Sequence, residues 1–184
     1  MTNVGIFLAD GFEMIEGLTV VDTLRRADID ITTISIMEHR VVESSHGVKV
    51  FADAMFDDTD FGTLDALVLP GGLQGTNNLS AHAGVLDQIQ SFAVAGKLVA
   101  AICAAPTVLG KAGLLDGKKA TCYPGCERQF SQDVIFTAAQ VEQDGKIITA
   151  NGMAAALPFS FALIRELASE ESVDRVKKGI AYPD

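Results

Sequence analysis

The chain has 184 residues, of which 48% are hydrophobic, and it carries a formal net charge of -10 at pH 7. This length and apolar content suffice for the buried core of one domain, which we expect to span residues 1–184. Nucleic-acid binding is not expected, because phosphate recognition needs clustered Lys and Arg, and the sequence contains no such cluster.

The N-terminal segment and the cysteines are typical of a cytoplasmic protein. Residues 1–9 lack a positively charged start, and their apolar run, Val4 to Ala9, is too short for a signal peptide or a membrane span. Three cysteines cannot all pair within one chain, and the spacing of Cys122 and Cys126 matches neither a C-x-x-C redox motif nor a zinc ribbon. We therefore expect free thiols, a cytoplasmic location and no membrane partner.

Apolar runs and helical periodicity alternate along the first part of the chain. Val4–Ala9 predicts a buried strand, and Glu13–Ala27 predicts a helix because its apolar residues recur at helical spacing. Ile29–Ile36 alternates Ile with Thr or Ser, which favours a strand. After it, Val41–Phe51 predicts a pair of rim strands and Asp53–Thr63 an acidic loop.

The same alternation continues to the end of the chain. Apolar runs predict buried strands at Ala66–Leu69 and Lys97–Ile102, and helical patterns predict helices at Ala83–Ala95, Thr107–Ala112 and Ala154–Ala168. An Asp-Gly dipeptide inside Val141–Thr149 favours a hairpin. Strands that alternate with helices predict an α/β domain of three layers with a mostly parallel central sheet.

Three features follow predicted strands at their carboxyl ends, where parallel sheets bind their ligands: Glu16, Gly71-Gly72 and Cys103. Cys103 lies in a strand-to-helix turn, where a helix N-terminus lowers the pKa of a thiol and favours the nucleophilic thiolate. The alternative for Cys103 is a small buried hydrophobic residue. Glu16 is alternatively a solvated helix charge, and the two glycines form either backbone donors or only a turn.

Three motifs carry a resemblance to a known family. They are Asp10-Gly11-Phe12-Glu13-Met14-Ile15-Glu16, Leu69-Pro70-Gly71-Gly72 and Ala100-Ala101-Ile102-Cys103-Ala104-Ala105-Pro106. In these residues, their order and their spacing, the chain resembles the ThiJ/PfpI superfamily, and within it the branch of parkinsonism-associated deglycases, over nearly its whole length.

The resemblance implies a flavodoxin-like sandwich of the class I glutamine amidotransferase-like kind, and a homodimer. It also implies that Cys103 is a reactive cysteine and that a protonated Glu16 donates a hydrogen bond to its sulfur. A neutral carboxyl stabilises a thiolate or a sulfinate without adding a repelling charge. Gly72 and Ala104 are then the expected backbone donors to the oxyanion.

Other positions depart from the family or match it only in part. Ala104 stands where the intracellular proteases of the superfamily carry a histidine, so we expect no peptidase activity. Tyr123 lies in the loop where many deglycase relatives place a histidine, and a tyrosine more readily donates a proton than accepts one. Arg26 matches a basic pocket residue, and His46 stands where an arginine is often found, with a solvated loop histidine as the alternative. Met153 replaces the proline of a Gly-Pro-Gly segment and would narrow the pocket.

Two functions fit the same pair of residues. As an enzyme, the protein would act on α-oxoaldehydes such as methylglyoxal or on their glycated adducts: the Cys103 thiolate attacks the aldehyde and Glu16 moves protons, without a cofactor. As a non-enzymatic protein, it would be an oxidative-stress sensor or a redox-regulated chaperone, with Cys103 oxidised to the sulfinate. His39 and His82 have no partner at ligand spacing, so we predict no metal site.

Overall fold

The computed structural model describes residues 2–183. Its strands are β1 (Asn3–Leu8), β2 (Asp30–Ser35), β3 (Val41–Glu43), β4 (Lys49–Phe51), β5 (Ala54–Met55), β6 (Ala66–Leu69), β7 (Leu98–Ile102), β8 (Lys119–Ala120), β9 (Ile135–Phe136), β10 (Val141–Asp144) and β11 (Ile147–Ala150). Its helices are α1 (Met14–Arg26), α2 (Leu73–Ala81), α3 (Ala83–Val94), α4 (Pro106–Lys111), α5 (Ala156–Leu167) and α6 (Glu170–Gly179).

The central sheet has seven strands in the order β10-β11-β7-β6-β1-β2-β5. All neighbours in it run parallel except β10, which forms an antiparallel hairpin with β11. This arrangement confirms the mostly parallel sheet. Two small sheets lie apart from it, an antiparallel pair of β3 with β4 and a parallel pair of β8 with β9.

Helices cover both faces of the sheet. On one face, apolar residues of α1, α5 and α6 pack against strand side chains, with Val20, Leu24, Phe159 and Val176 in this core. On the other face, α2, α3 and α4 pack against the alternate strand side chains. Because both faces are covered, β6 and β7 are buried at every position, which explains their continuous apolar runs. The result is the predicted three-layer α/β sandwich.

Several elements differ from the sequence-based expectation. The predicted acidic loop Asp53–Thr63 contains the short edge strand β5 and two single turns of 3-10 helix. Both α2 and α6 lie outside the predicted helices. The helix predicted at Ala154–Ala168 starts later, at Ala156, because a 3-10 turn over Met153–Ala155 precedes it. None of the helices within residues 2–183 combines the length and apolar character needed to cross a membrane.

Candidate active site

The candidate site lies at the carboxyl ends of three adjacent strands. The sheet places β7, β6 and β1 side by side and parallel. The segments that follow these strands carry Cys103, Gly71-Gly72 and Glu16, so the topology brings all three features to one edge, as the sequence predicts. The turn after β7 is therefore the centre of the site.

Cys103 occupies a strained turn between β7 and α4. Its φ of 65° lies in the left-handed region, which costs energy for a residue with a side chain. Two backbone hydrogen bonds hold it there: the Cys103 N–H donates to the Ala150 carbonyl at 2.8 Å, and the Tyr123 N–H donates to the Cys103 carbonyl at 2.7 Å. Pro106 at the first position of α4 is pre-organised for the helix that follows. This geometry is that of a nucleophile elbow, with Cys103 partly exposed.

Glu16 is the buried acid of the site, with 1% of its surface exposed. It lies in the first turn of α1, and its carboxyl accepts the Gly71 N–H at 3.0 Å and shares a hydrogen bond with Cys103. Burial raises the pKa of Glu16 to about 7, the charge of Glu13 adds to the rise, and the two hydrogen bonds oppose it. Glu16 therefore titrates near neutral pH, where its protonated and charged forms are both populated.

The surroundings of the sulfur shift its pKa upward. Burial is the main cause, the Glu16 carboxylate adds to it, and together they raise the pKa of the Cys103 thiol to about 12. The backbone N–H groups of Gly72 and Ala104 donate to the sulfur and oppose the rise. The expected lowering by backbone N–H groups at the start of the helix is present, but burial and the neighbouring carboxylate outweigh it, so the pKa of Cys103 is raised overall and not lowered.

The two groups act as a pair that holds at most one negative charge near neutral pH. Ionising both would place two negative charges in one buried site, which is unfavourable. Moving the proton along the hydrogen bond from Cys103 to a charged Glu16 forms a thiolate without changing the charge of the pair. Gly72 and Ala104, the two predicted donors, are in place to stabilise that thiolate or an oxyanion formed on it.

Gly71 lies against both members of the pair, and the space beside it has no room for a side chain. A Cβ added there would lie 2.5 Å from Glu16 Oε2, 2.6 Å from Cys103 Cβ and 2.9 Å from the Ile102 carbonyl oxygen. We expect Gly71→Ala to lower the free energy of unfolding by about 2–3 kcal/mol, since neither neighbour can move without breaking the pair. Urea unfolding monitored by circular dichroism measures this loss.

The matched control for this substitution is Gly179→Ala in the last turn of α6. An added Cβ there meets no heavy atom within 4 Å in the part of the chain that the structure describes. The control is expected to be neutral or slightly stabilising, by up to about 1 kcal/mol, because alanine favours a helix over glycine. Equal effects of the two substitutions would contradict the tight packing assigned to Gly71.

Three other predicted site residues lie on turns and loops that adjoin the segments of the site. Tyr123 is bonded to Cys103 through its backbone and is 53% exposed. Met153 is 54% exposed and directly follows a glycine whose added Cβ would lie 3.4 Å from the Tyr123 ring. His46, on the turn between β3 and β4, has its Nε2 3.9 Å from Glu13 Oε2.

Arg26 is not part of the site within this chain, which corrects the sequence-based prediction. It lies ten residues after Glu16 on the same helix, about 15 Å along the axis at the usual helical rise. Its guanidinium pairs with Asp22 at 2.6 Å, in a groove that also contains Leu157 and Ile180. The family resemblance gives Arg26 as a basic pocket residue, but the length of α1 places it away from Cys103 in this chain.

Two residues that sequence reasoning missed complete the site. Glu13 caps α1, and its carboxylate accepts hydrogen bonds from the Ile15 N–H at 3.4 Å and the Ser45 hydroxyl at 3.0 Å. An acidic residue just before a helix pattern is a capping signal, so Glu13 could have been found. Leu73 starts α2 beside Gly72, and no signal pointed to it because α2 was not predicted. Within residues 2–183, no three or more His, Cys, Asp or Glu side chains are grouped to hold a metal ion.

Comparison with known proteins identifies the family of this chain. The model of the DJ-1/PfpI family matches residues 2–166. Protein dj-1beta of Drosophila melanogaster is 36% identical over 176 residues, which cover 95% of this chain and 94% of that protein. An isonitrile hydratase of Pseudomonas putida is 31% identical over 142 residues, 77% of this chain and 61% of that enzyme. The structure of oxidised Toxoplasma gondii DJ-1 superposes with a TM-score of 0.95 at 32% identity and full coverage of both chains. The chain therefore belongs to the DJ-1/PfpI family of the ThiJ/PfpI superfamily, in its DJ-1 branch.

Proposed function

We propose that the protein is a cofactor-independent enzyme that converts α-oxoaldehydes such as methylglyoxal, or their adducts on amines and thiols, into α-hydroxy acids. The observation that carries this proposal is the buried hydrogen bond between Glu16 and Cys103. It supplies a nucleophile and a proton carrier at the same place. A relative named for enzymatic activity, the isonitrile hydratase of Pseudomonas putida, supports an enzyme in general terms.

The proposed reaction begins at the aldehyde carbon. The Cys103 sulfur adds to this carbon, its proton passes to the new hydroxyl oxygen, and a hemithioacetal forms. The Gly72 and Ala104 N–H groups stabilise the negative charge that develops on the oxygen during the addition. Both donors already point at the sulfur, so little reorganisation is needed.

The rearrangement then needs one proton carrier. The charged Glu16 carboxylate removes the proton from the former aldehyde carbon, which gives an enediolate with its charge on the former ketone oxygen. The hydroxyl proton moves to that oxygen, and Glu16 returns the carbon-bound proton to the neighbouring carbon. The product of this step is a thioester of the hydroxy acid on Cys103. Water cleaves the thioester, and the acid and the free thiol are released. A carboxyl with its pKa at about 7 is suited to both removing and returning a proton near neutral pH.

Proton magnetic resonance in D2O tests this function. Wild-type protein with methylglyoxal, without glutathione and without added metal, is expected to form lactate faster than buffer alone. If Glu16 carries the proton, Glu16→Gln is expected to form lactate no faster than buffer alone, because an amide cannot remove the proton. No lactate above the buffer rate in wild type would overturn the proposal, and a Glu16→Gln protein that keeps the wild-type rate would overturn the role of Glu16.

A second candidate function is an oxidative-stress sensor or redox-regulated chaperone. Oxidised Toxoplasma gondii DJ-1 has the same fold, and the Glu16 and backbone donors of this chain suit a sulfinate as well as a thiolate. Each oxidation step would transfer one oxygen from a hydroperoxide to sulfur and release water or an alcohol.

Mild peroxide followed by peptide mass spectrometry tests this second candidate. We expect two oxygen atoms to add at Cys103 before either other thiol reacts. Burial raises the pKa of Cys103 and of Cys122 alike to about 12, so the distinguishing feature is the set of Gly72 and Ala104 N–H donors at Cys103, which have no counterpart at Cys122 or Cys126 among the described residues. Equal oxidation of all three cysteines would contradict a sensing role.

A further inference from the structure

Three large apolar side chains are exposed on segments that adjoin the nucleophile. Leu73 is 72% exposed, Met153 54% and Tyr123 53%. They come from three separate segments, the start of α2, the turn after β11 and the loop after β8. We refer to Leu73, Tyr123 and Met153 as the apolar rim. Large apolar groups grouped at the mouth of a site are a sign of ligand contact.

The backbone fixes the position of each rim residue relative to Cys103. Leu73 directly follows the glycine whose N–H donates to the sulfur. Tyr123 donates its own N–H to the Cys103 carbonyl at 2.7 Å. Met153 directly follows a glycine at which an added Cβ would lie 3.4 Å from the Tyr123 ring. The rim is therefore attached to the same turns that hold the nucleophile.

The remaining charges near Cys103 do not favour an anionic substrate. Glu16 and Glu13 are both carboxyl groups, and Glu13 lies close enough to raise the pKa of Glu16. Arg26 is at the far end of α1, and the whole chain carries a net charge of -10. An aldehyde with a carboxylate or phosphate substituent would meet repulsion here, whereas an uncharged substituent would not.

We propose that the apolar rim makes the site selective for α-oxoaldehydes whose ketone carries an aryl or branched alkyl group, over methylglyoxal. This inference rests on the proposed function, because the rim acts on the same Cys103 chemistry. A substituent that covers the rim removes apolar surface of both partners from water, and a methyl group is too small to do so. Because the rim is open, the selectivity is expected to be about tenfold.

The test compares kcat/KM for phenylglyoxal and for methylglyoxal in wild type, Leu73→Asn and Met153→Gln. The two aldehydes differ in intrinsic reactivity, so the change of their ratio between variants carries the argument. Each substitution is expected to lower the phenylglyoxal to methylglyoxal ratio about threefold, since each removes part of the apolar contact. Val94→Gln is the matched control: Val94 is 90% exposed and ends α3, next to the start of β7 at the opposite edge of the sheet.

A ratio that stays the same in all variants would overturn the inference while leaving the enzymatic function intact. Sedimentation of wild type and of each variant is part of the test, because a rim substitution that lowers the oligomeric state would show that the rim packs against a second copy and would also overturn the inference. Leu73 and Met153 are both exposed, so neither substitution is expected to prevent folding.

A second readout does not depend on turnover. The rates at which N-phenylmaleimide and N-methylmaleimide modify Cys103, located by peptide mass, are compared in the same proteins. The rim predicts that the phenyl reagent loses its advantage in Leu73→Asn and Met153→Gln and keeps it in Val94→Gln. If neither aldehyde is converted but this pattern holds, the proposed function is wrong and the aldehyde selectivity is wrong with it. The preference of the rim for apolar groups that approach Cys103 is then still supported. If the pattern is absent, the selectivity is wrong.

Discussion

Replacing Cys103 with serine is expected to lower kcat/KM for methylglyoxal at least about a thousandfold, because the hydroxyl of serine cannot ionise with the help of a carboxyl. The backbone of Cys103 is strained, with a φ of 65°. Its N–H and its carbonyl are both hydrogen-bonded to other segments, which hold it in this conformation. Serine fits the same space and accepts the same two N–H donors, so the substitution tests the sulfur and not the packing.

The matched control for this loss is Cys126→Ser. Cys126 is also a free, partly exposed thiol, and it lies in a 3-10 turn after the Tyr123 loop. This variant is expected to retain kcat/KM within about twofold, as surface substitutions away from a site usually do. A Cys103→Ser protein that keeps more than a tenth of the wild-type value would show that another group attacks the aldehyde.

Replacing Glu16 with glutamine is expected to change how stability depends on pH. The pKa of Glu16 is raised from 4.5 to about 7 in the folded protein. A raised pKa means that the folded state holds the proton more tightly than the unfolded state, so its contribution to stability is complete below pH 4.5. The contribution is lost as pH rises through about 7. For a carboxyl that is 1% exposed, the loss amounts to about 3 kcal/mol.

Glutamine keeps the hydrogen-bonding shape of the carboxyl but has no proton to lose. The free energy of unfolding of Glu16→Gln, measured in urea from pH 4 to pH 8, should therefore rise relative to wild type by about 3 kcal/mol across this range. Other carboxylates with shifted pKa values, such as Asp53 and Glu166, are present in both proteins and cancel in the comparison. A difference that stays constant with pH would show that Glu16 ionises at its ordinary pKa.

The sequence indicates most of the sheet because burial leaves a clear pattern. Strands β6 and β7 are buried at every position and appear as uninterrupted apolar runs. The Asp-Gly turn of the β10–β11 hairpin was also recognisable, and Gly145 there adopts a φ of 60°. Elements whose local sequence already specifies their environment were thus predicted.

The missed helices depend on contacts between distant segments. The sequence of α2, Leu-Gln-Gly-Thr-Asn-Asn-Leu-Ser-Ala, has weak helix formers, and its helix is supported by close packing of Gly75 against Phe12, where an added Cβ would lie 2.8 Å from the Phe12 backbone. In contrast, α6 carried a recognisable signal: Ser169 caps it, acidic residues open it and lysines close it. Its apolar residues were too few to show periodicity.

The sequence predicts which residues form the candidate site, but it does not predict how burial and charge shift their pKa values. The order of motifs identified Cys103, Glu16 and the donors Gly72 and Ala104, which the fold brings together at one sheet edge. The direction in which the pKa of Cys103 shifts depends on the burial of the thiol and on the Glu16 carboxyl beside it. Both depend on the folded structure, so the sequence alone does not reveal them. The cytoplasmic location, the homodimer and the absence of nucleic-acid partners stay predictions.

The most direct test of the central claim, that Cys103 and Glu16 act as one catalytic unit, is a double-mutant cycle on lactate formation from methylglyoxal without glutathione. The four proteins are wild type, Cys103→Ser, Glu16→Gln and the variant with both changes. If the two side chains act together, the double variant should be no slower than Cys103→Ser alone, because the second change removes nothing that still works. Losses that multiply in the double variant would show that the two residues contribute independently, and would contradict this account of the site.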